Sequence, residues 1–246
     1  MARYAVILPA AGKSSRYQDK EKKVFANLDG RAVWLRAAEL FVNRPDVLQT
    51  LIVIAPEDQD TFRQKFGAHL GLLGVEVVLG GEQRFDSVNN ALARVRDEVE
   101  FVAIHDAARP CVPTSVIDEV FACAARTGAA LAGIPVADTL KRASATGRVE
   151  ATVPREHLWQ AQTPQVFRRD WLVEAYARRG QVSETITDDC QLIEAMGHPV
   201  QLVLGSAANL KITAREDLPL AEAILKSRPR AKAPRSIHPF EDEAKW

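Results

Sequence analysis

The sequence predicts an α/β fold, with a mainly parallel sheet covered by helices on both faces and a protruding two-stranded arm. Short apolar segments alternate with longer amphipathic ones along most of the chain. The short segments are apolar throughout, not at every second residue, as strands buried on both faces must be. The stretch 136–155 breaks that rhythm and supplies the arm.

Residues 4–8, 50–55, 75–79, 101–105, 129–134 and 200–204 read as strands. Between them, 32–41, 57–66, 84–95 and 114–126 carry apolar residues at three- and four-residue spacing, the helical period. In such sheets ligands sit beyond the carboxyl ends of the strands. Within 136–155, alternating Thr and Val residues flank Thr146-Gly147, a hairpin-type turn. A lone two-stranded ribbon is marginal in water, so this arm is expected to pack on something, such as a second subunit. Thr187 is placed to cap a helix that begins at Thr187-Asp188-Asp189, and a closing helix is expected at 215–224. The segment 227–246, with prolines and a basic block before an acidic one, reads as a frayed tail. One domain over 1–226 is the resulting expectation.

At 246 residues the chain can bury a sizeable core. Its 32 Lys and Arg balance 32 Asp and Glu, so nothing global favours nucleic acid or an acidic membrane, and any anion site must be local. Cys111, Cys123 and Cys190 are scattered and lack metal-ligand spacing, which suits reduced thiols in a cytoplasmic protein. Neither a signal peptide nor a membrane span is legible.

The most informative stretch is AVILPAAGKSSRYQDKEKK at 5–23. An apolar strand stops at Pro9, turns through Ala10, Ala11 and Gly12, and is followed by Lys13, Arg16, Lys20, Lys22 and Lys23. Small residues let backbone N–H groups approach a ligand, and the cations suit one with several negative charges. The bland alternative is a strand end with a solvated basic loop. Gly12-Lys13-Ser14 is not a P-loop, because Ile7 stands where that motif needs its first glycine. A dinucleotide fingerprint fails too, since Gly12 is the only glycine before Gly30.

Leu79-Gly80-Gly81-Glu82-Gln83-Arg84-Phe85-Asp86-Ser87 is a second strand-to-helix turn. Its glycines admit a flat ligand, and Ser87 follows Arg84 by one helical turn; a plain turn with Ser87 as a local cap is the rival. His105-Asp106-Ala107-Ala108-Arg109-Pro110 ends another strand. Asp106 there suits a sugar hydroxyl or a hydrated metal ion, against a surface pair with Arg109. His105 itself reads as a core or loop histidine. Lys211, between apolar neighbours in Asn209-Leu210-Lys211-Ile212-Thr213, either snorkels to solvent or points into a cleft.

Taken together, PAAG with Arg16, GGEQR with Ser87, HDAARP, DTLKR, TVPR, WQAQTPQ, Thr187-Asp188 and NLKIT, in this order over about 4–225, resemble the 2-C-methyl-D-erythritol 4-phosphate cytidylyltransferases. Ribitol 5-phosphate cytidylyltransferases, the nearest relatives, typically have LAGG and HDSVRP instead of PAAG and HDAARP. Two departures stand out: Ser14 replaces a usual second glycine, and Lys22-Lys23-Val24 replaces a usual Pro-Lys-Gln. Lys23, seven residues after Arg16, is the counterpart by spacing, with Lys22 its rival.

The resemblance implies a Rossmann-like nucleotidyltransferase sheet and transfer of CMP from CTP to methylerythritol phosphate. Arg16 and Lys23 would stabilise the transition state, and Arg155 and Lys211 would hold the substrate phosphate with Asp106, Arg109, Thr139 and Thr163. Ala10, Ala11, Gly12 and Ser14 would meet the CTP phosphates. Gly80, Gly81, Arg84 and Ser87 would frame the cytidine, with Ala107 beside the ribose. Mg²⁺ would be held mainly by the CTP phosphates, with no dedicated protein cage, and a homodimer would form through the arm. The rival readings are a cytidylyltransferase for ribitol 5-phosphate or another polyol phosphate, and a catalytically silent nucleotide-binding regulator.

Overall fold

The computed structural model of the chain describes residues 2–12, 17, 22–182 and 186–228. Strand β1 (Tyr4–Pro9) shows how the sheet is built. Its residues alternate between two apolar layers, with Tyr4, Val6 and Leu8 in one and Ala5 and Ile7 in the other. Both sides of the strand are thus removed from water, which is why no polar residue interrupts it.

After β1 come a small ribbon, β2 (Asn27–Leu28) with β3 (Arg31–Ala32), and helix α1 (Val33–Ala38). Then follow β4 (Val47–Ile54), a short helical turn at Pro56–Asp58, α2 (Gln59–Leu73), β5 (Val75–Leu79), α3 (Arg84–Leu92), β6 (Phe101–Ile104), α4 (Thr114–Thr127) and β7 (Ala129–Pro135). The arm is β8 (Leu140–Ala143) and β9 (Val149–Val153), paired antiparallel around Gly147 at φ +81°. The chain ends with β10 (Trp159–Arg168), α5 (Arg169–Ala177), α6 (Cys190–Ala195), β11 (Gln201–Leu204) and α7 (Asp217–Ser227).

Seven strands form the main sheet in the order β11-β7-β10-β6-β1-β4-β5. All neighbours run parallel except β10, which is antiparallel to both β6 and β7. Helices α1, α2 and α4 cover one face, where Trp34, Phe62 and Phe66 pack together. Helices α3, α5 and α6 cover the other through Val88, Leu92, Leu172 and Ile193. A third cluster seats α7 through Ala221 against Leu28, Val33 and Ile212. One glycine on this scaffold has no substitute: Gly128 ends α4 at φ +92°, and a Cβ there would lie 2.3 Å from the Trp171 ring.

The structure corrects several sequence-based expectations. Strand β10 and helix α5 were not anticipated. β10 carries Gln162, Thr163 and Gln165, all buried, and polar residues are a poor strand signal. The helix after Thr187 starts at Cys190 with Asp189 at its N-cap position, while the Thr187 hydroxyl donates to Gln191 Oε1 at 3.0 Å. α7 runs past 224 to Ser227, and Arg228 donates to the carbonyls of Cys111 and Val112. Residues 227 and 228 of the expected tail are thus described and 228 is tied to the domain, while 229–246 lie outside the described residues.

Candidate active site

Strand order reverses at β1, with β4 and β5 to one side and β6 to the other, and a cleft of about 1000 Å³ opens at the carboxyl ends of these strands. Ala10, Ala11 and Gly12 after β1, Gly80 and Gly81 after β5, and Asp106 after β6 line it together. Arg84 and Ser87 of α3, Lys23 and Lys211 join them. Residues 55–57 form a further wall that the sequence did not single out, and Glu82, Gln83 and Ala108, part of the quoted motifs but given no role there, line the cleft too. Arg16 and Ser14 lie outside the described residues.

Two turns meet at Gly80. A Cβ built there would lie 2.7 Å from Ser87 Oγ and 2.8 Å from Ala11 Cβ, so only glycine lets the turn after β5 rest on the turn after β1. Ser87 Oγ accepts the Gly81 N–H and donates to the Gln83 carbonyl, both at 3.1 Å. Its hydroxyl therefore shapes the turn while lining the cleft.

Two cations of the cleft wall, Lys211 and Arg84, are each held by an acid. Lys211 Nζ is 2.8 Å from Asp106 Oδ2, which Arg109 Nε also approaches at 3.3 Å. Burial alone would push the Asp106 carboxyl up, but Lys211, Arg84 and Arg109 together hold it well below the usual carboxylate range. Arg84 Nη2 is 2.7 Å from Asp189 Oδ2, and the other oxygen of this buried acid accepts the Tyr176 hydroxyl at 2.5 Å. Burial opposes the Arg84 charge, yet Asp189 raises its pKa above the ordinary guanidinium value. Burial alone would raise the pKa of Asp217, but three hydrogen bonds from Ala214 and Thr213, with a smaller contribution from the Lys23 charge, hold it below its ordinary value.

Lys22 and Lys23 part company here. Lys22 Nζ sits 2.6 Å from Asp58 Oδ2 and 3.3 Å from Glu57 Oε1, whereas Lys23 lines the cleft.

Other expected residues stand off the cleft wall. Ala107 is buried, and its N–H reaches the Pro9 carbonyl at 3.4 Å. Arg109 turns inward, donating to the Asn209 carbonyl at 2.8 Å. Thr163 is buried, its oxygen accepting the Asp106 N–H at 3.0 Å. Thr139 and Arg155 lie exposed at the same open end of the arm, just before β8 and just after β9, and do not line the cleft within this chain.

Comparison with known proteins gives a consistent result. The family model for 2-C-methyl-D-erythritol 4-phosphate cytidylyltransferase matches residues 4–227. A curated protein of that name from Rhodopirellula baltica is 46% identical over 236 residues, covering 91% of this chain and 95% of its own length. Another, from Pelotomaculum thermopropionicum, is 38% identical over 93% of this chain and 96% of its own. A crystal structure of the Thermus thermophilus protein of the same name is 33% identical and superposes with a TM-score of 0.72, covering 92% of this chain and all (100%) of that one.

Proposed function

The chain belongs to the 2-C-methyl-D-erythritol 4-phosphate cytidylyltransferase family, nucleotidyltransferases that move CMP from CTP onto methylerythritol phosphate and release pyrophosphate, and from that premise we propose how its cleft divides the work. The observation that carries the reading is the meeting of a small-residue turn, a glycine turn and paired cations at one set of strand ends. The nucleophile is an oxygen of the substrate phosphate, a group whose second pKa of about 6 leaves it largely ionised at neutral pH. No general base is required. The obstacle is one anion attacking another, and cations fixed in place before reaction lower it.

Lys23 is assigned to the charge that builds on the α-phosphate and departing pyrophosphate, a role that family resemblance gives to Arg16 as well. Backbone N–H groups of Ala11 and Gly12 cradle the triphosphate, while Ala10, whose N–H is given to the Val53 carbonyl at 2.7 Å, sets the turn behind them. Gly80, Gly81 and Ser87 flank the cytosine, with Arg84 behind. Lys211, oriented by Asp106, holds the phosphate of the second substrate. The cleft carboxylate of Asp106 is already taken up by Lys211 and Arg109, so a Mg²⁺ ion would be held mainly by the CTP phosphates and water. When bound, that ion neutralises triphosphate charge. Among the described residues no helix is long and apolar enough to cross a membrane. Three buried free thiols suit the cytoplasm, where we place the enzyme.

Arg155 and Thr139 are assigned to the neighbouring subunit's site, reached through a homodimer clasped by the arm. Support comes from their shared exposure at the open end of a ribbon that is largely solvent-exposed within this chain. Two tests bear on these readings. Pyrophosphate release from CTP should require methylerythritol phosphate and be weak with ribitol 5-phosphate; equal turnover on both would overturn the substrate reading. Co-refolded Lys23→Ala and Arg155→Ala chains should recover about a quarter of wild-type activity, since half of random dimers then hold one intact site of two. No recovery in a mixture whose dimers are confirmed by light scattering would place Arg155 in its own chain's site.

A further inference from the structure

His105 follows β6 directly, is fully buried, and rests its ring on Phe41 with centroids 5.1 Å apart. Its Nε2 lies 3.0 Å from the Arg109 carbonyl, and its Nδ1 lies 3.2 Å from Thr163 Oγ1. A carbonyl only accepts, so Nε2 carries the proton. Burial lowers the ring pKa from 6.5 to about 4, which leaves it neutral near pH 7 and makes Nδ1 an acceptor. The Thr163 hydroxyl must therefore donate to Nδ1, and its oxygen accepts the Asp106 N–H at 3.0 Å.

These bonds close a ring. Thr163 donates to His105, and His105 donates to the Arg109 carbonyl. Arg109 Nη1 donates to the Asn209 carbonyl at 2.8 Å, and Asn209 Nδ2 returns to the Thr163 carbonyl at 2.8 Å. The ring joins the turn bearing Asp106, strand β10, and the loop that carries Lys211. All four side chains are wholly or largely buried, so each lost bond would leave a polar group without water to replace it.

We propose that His105 is a positioning residue: by closing this four-residue ring it sets Asp106 and Lys211 at their 2.8 Å separation and so governs binding and alignment of the second substrate's phosphate, not of CTP. This rests on the assignment of Lys211 and Asp106 to that phosphate. His105 touches neither substrate. A misplacement of about 1 Å can cost about 100-fold in rate, which sets the scale of the effect.

The test uses His105→Gln, whose amide nitrogen can still reach Arg109 but not Thr163, and His105→Asn, whose amide can meet Thr163 but not Arg109. Steady-state kinetics in both substrates are measured beside thermal unfolding. The expected result is a roughly 10- to 100-fold loss in kcat/KM for methylerythritol phosphate, with KM for CTP changed less than about threefold. Lowered thermal stability with unchanged kinetics of the folded enzyme would overturn the proposal, as would an equal rise in both KM values. Should neither variant fold, Thr163→Val opens the ring from the other side and Thr163→Ser restores it. The same selective loss in the valine variant, recovered in the serine variant, is then required. Asp106→Asn and Lys211→Ala serve as reference: if they leave KM for methylerythritol phosphate unmoved, the underlying phosphate assignment fails. If they raise it and the His105 variants do not, only the proposal for His105 fails.

Discussion

Neighbouring lysines at the mouth of the cleft should behave very differently when removed. Lys22 is engaged by Asp58 at 2.6 Å and Glu57 at 3.3 Å, with its side chain 21% exposed. A pair so placed contributes about 1 kcal/mol to stability, so Lys22→Ala should lower Tm by roughly 2–4 °C in a chain of this size. It would also leave the carboxylates of Glu57 and Asp58 without that cation beside a polyanion site, and Glu57 lines the cleft. Repulsion should then raise KM for CTP a fewfold, an effect that added salt screens away, while kcat stays within about threefold. Lys23 faces the cleft itself. Losing a fixed transition-state cation resembles losing an oxyanion donor, so Lys23→Ala should cut kcat by about 10²–10³-fold with little change in Tm. The assay is continuous pyrophosphate release under saturating substrates, repeated at two salt concentrations. Equal kcat losses in the two variants, or a larger one for Lys22→Ala, would refute the assignment.

Three further outcomes follow from the geometry. Gly80→Ala inserts a Cβ 2.7 Å from Ser87 Oγ and 2.8 Å from Ala11 Cβ; it should cost about 1–3 kcal/mol of stability and raise KM for CTP at least about tenfold, both read from one purified variant. The site should favour CTP over UTP by at least about 10²-fold in kcat/KM, because a buried site built for one hydrogen-bonding edge leaves polar groups unpaired with the other; comparable rates would remove Gly80, Gly81 and Ser87 from the base pocket. For pH, His105 stays neutral in the fold down to about 4 but takes up a proton near 6.5 once unfolded, so the unfolded chain binds more protons between those values. Stability should therefore fall as pH drops from 6.5 to 4, by up to about 3 kcal/mol. Asp106, held low, adds its own loss only below about pH 4. Urea unfolding across that range should show the upper window in wild type and its absence in His105→Gln.

Much of the fold was legible because burial on both faces writes itself into composition. β1 is the clearest case, read as 4–8 and observed over Tyr4–Pro9, with every residue from Tyr4 to Leu8 apolar and buried. β10 was not legible, and the reason is chemical. Gln162 is buried because its amide donates to the Ser206 carbonyl at 2.9 Å and accepts from Asn209 at 3.1 Å. Gln165 bridges Asp188 at 2.9 Å and the Cys190 N–H at 3.2 Å. Polar residues satisfied by distant segments look, in one dimension, like a loop. Asp189 is a case of the same kind: it stands at the N-cap position of α6, yet its carboxylate is committed to Arg84 and Tyr176.

The site divides along the same line. Glycines and cations on strand-end turns announce themselves, since their chemistry follows from residue type and local spacing, and the cleft gathers Gly12, Lys23, Gly80 and Lys211 as expected. What spacing does not carry is the acid that stands behind a cation. Lys211 is held by Asp106, Arg84 by Asp189 from the start of α6, and Lys23 acts on Asp217 at the start of α7. The chain as a whole is neutral, with 32 cations against 32 acids, so its attraction for polyanions lies in how these pairs are oriented. An acid placed behind a cation costs part of the local positive potential, yet it fixes the direction in which that cation points. For a reaction whose barrier is the approach of two anions, a cation already aimed needs no reorganisation as charge develops. Removing the acids should therefore harm turnover even though each removal makes the cleft more positive.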